Sequence, residues 1–113
     1  MMGATEAARH AEEKGTILKA LKEEYARGMT SVRSLFSALD LVGRRMTPKG
    51  LQFALAYLAD QEYIRIWRAE EVPGFRKDRM TDANVQTIVF ARLTAKGLHL
   101  IDGRIDADPG VNF

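Results

Sequence analysis

Lys49, Gln52, Phe53 and Ala56 fall at i, i+3, i+4 and i+7 within residues 47–66, so a helix there would set them along one face. Their chemistry is that of a surface that meets base edges. A carboxamide such as that of Gln52 can bond adenine bidentately, an ammonium can meet a phosphate, and Phe53 or Ala56 can touch a thymine methyl. Arg44 and Arg45 stand just before this stretch, and Arg76, Lys77 and Arg79 cluster after it, beside Phe75. Each such cation on a phosphate would displace a condensed counterion. Other chemistries are poorly supplied. The chain has no cysteine, which excludes disulfides, thiolate catalysis and thiolate zinc sites. His10 and His99 lie far apart, and Glu12-Glu13, Glu23-Glu24 and Glu70-Glu71 are adjacent pairs that point apart on a helix or strand. No catalytic residue, metal ligand or cofactor is expected, and the chain reads as a non-enzyme.

The elements that would hold these residues are legible in order. Thr47 suits an N-cap and Pro48 the first helical position, while Leu51, Ala54, Leu55 and Leu58 form the core-facing stripe. Tyr63 to Ala69 is then rich in β-branched and aromatic residues and predicts a strand. Upstream, Ser31 caps a helix whose Val32, Leu35, Phe36, Leu39 and Val42 share a side, with Gly43 as its stop. Two helices joined by a short turn containing Gly43, Arg44 and Arg45 make a helix-turn-helix pattern. Downstream, residues 70–84 read as a polar hairpin tip, Val85 to Leu93 as the antiparallel return strand, and Thr94 to Gly103 as a short closing helix on which Leu98 and Ile101 face the core.

The ends are less regular. A first helical region spans about Thr5 to Ala26 and stops at Gly28; Gly15-Thr16 either interrupts it, with Thr16 capping a second segment, or lies within it. Residues 1–15 thus form a helical extension or arm, either solvated or paired with a second copy. Residues 16–103 form the folded domain, and residues 104–113 an irregular tail that docks on the domain or on a partner. The fold class is α+β, with three helices, a two-stranded antiparallel hairpin and a short C-terminal helix.

Composition sets the frame: 113 residues, 46% hydrophobic and 28% charged, suit one core in a soluble, cytoplasmic protein. No apolar run approaches the ~18–20 residues of a membrane span, and no secretory core segment opens the chain. The net charge of +2 is small, but its distribution is uneven. Residues 29–60 set Arg33, Arg44, Arg45 and Lys49 against only Asp40 and Asp60. The excess falls where a nucleic-acid-facing surface would lie.

The blocks LAYLADQEYIRI and ARLTAKGLHLIDGRI resemble the helix, strand, wing and closing helix of bacterial winged-helix proteins of the ArsR and PadR kind. More narrowly, they and the final DGRIDADPGV are similar to small winged-helix proteins of Mu-like phages and prophages, labelled ArsR-like regulators. The resemblance spans about Thr16 to Val111. That family usually has glycine where Glu62 stands and a shorter wing, and the metal-sensing residues of the ArsR class are not carried over. The resemblance implies a winged helix-turn-helix fold and a transcriptional regulator that binds double-stranded DNA as a homodimer, with the helix near Pro48–Asp60 in the major groove and Arg76, Lys77 and Arg79 on phosphates. A second function stays open, a protein-interaction module in phage development or assembly with a phage or host protein as partner. Phe53, Tyr57, Trp67 and Phe113 would serve it, although Tyr57 and Trp67 also suit core packing.

Overall fold

Leucine and isoleucine spacing builds the core before any strand is added. Ile17, Leu18 and Leu21 of α1 (Met2–Glu23), Leu35 and Leu39 of α2 (Val32–Leu41), and Leu51, Leu55 and Leu58 of α3 (Pro48–Asp60) are almost wholly removed from water. The computed structural model describes residues 2–74 and 88–113, with side chains from residue 6 onward. Those residues form an α+β arrangement of four α-helices and a three-stranded antiparallel sheet. The strands are β1 (Thr30–Ser31), β2 (Ile64–Arg68) and β3 (Ile88–Leu93), in the order β1-β3-β2, and α4 (Ala95–Ile101) follows. No described helix is long and apolar enough to cross a membrane.

Caps fix where the helices begin. Ser31, Thr47 and Thr94 each accept, through the side-chain oxygen, the backbone N–H three residues on, and Pro48 occupies the first turn of α3. Their ends share one solution. Arg44 N–H reaches back to the Leu39 carbonyl and Gly43 N–H to Asp40, with Gly43 at φ +79. Tyr63 N–H to Leu58 with Glu62 N–H to Ala59, and Arg104 N–H to His99 with Gly103 N–H to Leu100, repeat the pattern. These are Schellman stops, whose pivot residue is left-handed. At α3 the pivot is Glu62, at φ +67, the one described non-glycine residue with positive φ. A side chain there costs about 1 kcal/mol that glycine would not.

Several sequence expectations change. Gly15-Thr16 does not interrupt the first helix: α1 runs through, and Thr16 Oγ1 donates to the Glu12 carbonyl one turn back instead of capping. The helix ends at Glu23, and a 3-10 turn at Tyr25–Arg27 carries the chain to Gly28. Thr30 and Ser31, just before α2, pair with Ala91 and Phe90, so the sheet has three strands rather than the two expected. Two residues are too few to show alternation, which is why the sequence does not announce this strand. Val42 ends α2 in solvent, and on α4 it is Leu100 that enters the core while Leu98 and Ile101 pack at its margin. The expected hairpin tip opens with a 3-10 turn at Ala69–Glu71, and its part from residue 75 on, with Phe75, Arg76, Lys77 and Arg79, lies outside the described residues.

Candidate nucleic-acid interface

The side of α3 opposite the leucine stripe holds four of the residues picked out by spacing, and they have different fates. Lys49 and Phe53 are exposed, with the Lys49 ammonium 5.9 Å from the centre of the Phe53 ring. Both border an open cleft of about 370 Å³ that α1 closes with His10, Glu13 and Lys14. Ala56 is half-buried and packs against the core, so it offers little to a groove. Gln52 is committed elsewhere. Its Nε2 donates to the Ile88 carbonyl at 3.0 Å, and its Oε1 accepts from Ile88 N–H at 2.7 Å. The amide expected to read adenine does show bidentate geometry, here with the first residue of β3 as its partner. Sequence reasoning placed Gln52 on the right side of the helix without the 36-residue contact that uses it.

The two arginines before α3 are placed in the turn as expected, and each faces an acid. Arg44 Nη1 lies 3.2 Å from Glu12 Oε2 on α1, and Arg45 Nε lies 3.1 Å from Asp40 Oδ1 on α2. Surface pairs of this kind contribute about 0–1 kcal/mol, so a phosphate can compete for either guanidinium. Leu41 and Val42, at the end of α2 just before this turn, are 87% and 66% exposed, and Phe53 is 66% exposed.

One cluster of polar residues was missed from the sequence. Asp108 in the tail accepts the Tyr63 phenol at 2.9 Å, the Tyr57 phenol at 3.3 Å and the Gly110 N–H at 2.7 Å. Burial, followed by the hydrogen bond to Asp108 and that carboxylate's charge, pushes the Tyr63 phenol up to about 12. Tyr57 is raised as well, first by burial and then by the Asp108 charge and hydrogen bond. The Lys14 ammonium sits 4.0 Å over the Tyr57 ring. The Asp-Pro-Gly signal in the sequence marked a turn but not the tyrosines that it gathers. This cluster is a structural lock rather than a reactive site, because raised phenols stay protonated and do not act as bases near neutral pH.

Searches of protein-family models, of curated proteins and of solved structures each found no match to this chain.

Proposed function

We propose that this chain is a winged helix-turn-helix protein that binds double-stranded DNA, with α2, the Gly43–Met46 turn and α3 as its helix-turn-helix and β2–β3 as the base of its wing. The observation that carries the reading is the setting of α3. One side is sealed in the core, while its exposed start carries Lys49 and Phe53, with Arg44 and Arg45 immediately before it. Since Gln52 is engaged and Ala56 recessed, affinity comes mainly from phosphate contacts and shape, with little direct readout of bases by α3. A homodimer would place two α3 helices in successive major grooves. Regulation of transcription in a phage or prophage rests on the sequence resemblance alone, and the cytoplasmic setting on composition alone.

The test is fluorescence anisotropy with random-sequence duplex over a range of salt. The expected result is binding at low salt that weakens steeply as salt rises. Replacing Arg44, Arg45 and Lys49 together with alanine should flatten the log–log salt slope by about 2 to 3, near 0.9 per phosphate contact. Replacing Arg76, Lys77 and Arg79 tests the wing in the same way. Absence of binding even at low salt would sink the proposal. It would favour the second reading, a protein-interaction module, for which the exposed Leu41, Val42 and Phe53 are the specific support.

A further inference from the structure

The register of β2 on β3 puts two arginines face to face. Arg65 is directly opposite Arg92, and Trp67 is directly opposite Phe90. Because side chains alternate, Ile64, Ala91 and Leu93 turn into the core, and Arg65, Trp67, Phe90 and Arg92 share the outer face. Neither Trp67 nor Phe90 belongs to the core cluster, so the expectation that Trp67 packs in the core is corrected. The guanidinium of Arg65 lies 4.7 Å from the centre of the Trp67 ring, and that of Arg92 lies 5.1 Å from the centre of the Tyr25 ring. Both arginines are exposed, and neither has an acidic partner among the described residues. Like charges directly opposite in an antiparallel pair are destabilising, and a β-sheet that keeps them gains from an anion between them.

We propose that this outer face binds single-stranded nucleic acid, with phosphates bridging Arg65 and Arg92 and bases stacking against Trp67 and Phe90. The chemistry matches in both parts. Arginines directly opposite in register suit a phosphate, which can accept from both forks at once. Two half-exposed rings, one of them with a guanidinium beside it, form a stacking platform that tolerates any base, because every base has a π-face. An acidic peptide would satisfy the charges but leave the rings unused. No residue of α3 contributes, so the site shares with the duplex reading above only the strands at the base of the wing.

Trp67 is the only tryptophan of the chain, so its fluorescence reports this face alone. Titration of the full chain with a mixed-sequence DNA strand of about 16 nucleotides, the upper range of site size for one small domain, is expected to quench it saturably at low salt. The Arg65→Gln, Arg92→Gln double variant, which removes only exposed charge, should bind about tenfold more weakly. Its log–log salt slope should be shallower by about 0.7, the value for the one phosphate held between the two arginines on a single strand. Arg104→Gln, at an exposed cation outside both proposed sites, should leave quenching and affinity unchanged. Absence of quenching at low salt would overturn the proposal, as would wild-type affinity in a double variant whose circular dichroism shows it folded. Equal quenching by poly-glutamate would reassign the face to acidic protein segments, tighter quenching by duplex would reassign it to duplex backbone, and a loss in Arg104→Gln as large as in the double variant would reduce it to diffuse charge attraction; each overturns it.

Discussion

Gln52 shows how a residue's type can suit two tasks while its surroundings choose one. A carboxamide presents one donor and one acceptor side by side, which matches an adenine edge and matches equally the N–H and C=O of one strand residue. Here it holds Ile88, at 2.7 and 3.0 Å, and so ties α3 to the start of β3. Gln52→Ala leaves both main-chain groups of Ile88 without this partner in a half-buried setting and should cost about 1–2 kcal/mol in urea unfolding. A residue held ready for a base and touching nothing else would change stability by no more than about 0.5 kcal/mol. The measurement therefore separates a strand clasp from a reading head. Lys49 and Phe53, in contrast, stand in solvent, as their place opposite the leucine stripe implied. Helical spacing decides the side of a helix, but it cannot see a partner 36 residues away.

Among the elements, the helices were the most legible and β1 the least. Caps at Ser31, Thr47 and Thr94 and stops at Gly43 and Gly103 are local chemistry, fixed by residues three to five apart. The two residues of β1 owe their pairing wholly to β3, sixty residues on, and carry no pattern of their own. Gly15 was ambiguous for a related reason. Glycine in mid-helix suggests a break, yet here it admits the tail: a Cβ at this position would strike the backbone carbonyl of Asn112. The tail is held at that spot by Asn112 N–H on the Ala11 carbonyl, at 2.9 Å. Alanine for glycine in an open helix interior gains up to about 1 kcal/mol, but Gly15→Ala should instead destabilise by about 1–3 kcal/mol, because the clash is with main chain that can yield only by leaving α1. Thermal or urea unfolding beside wild type checks the sign.

Across the whole molecule, the tail closes a circuit between first and last elements. Val111 enters the core, Asn112 bonds α1, and Asp108 draws together Tyr57 of α3 and Tyr63 at the start of β2. The sequence showed that the tail was turn-rich and could not show what it covered, since the partners come from three separate elements. The lock has a pH signature. The Tyr63 phenol, raised from 10.0 to about 12 by burial and then by Asp108, stays protonated in the folded chain after unfolded tyrosines have begun to lose their protons. Above pH 10 the unfolded state therefore binds fewer protons, and stability must fall with rising pH; the contribution is whole below pH 10 and lost as pH passes about 12. Tyr57 adds in the same direction. Asp108→Asn removes the negative charge that holds both phenols protonated, so unfolding followed across this window should show a shallower decline than wild type, from a lower starting stability. A decline equally steep in both proteins would mean that the tyrosines respond to burial alone and that Asp108 merely positions the tail.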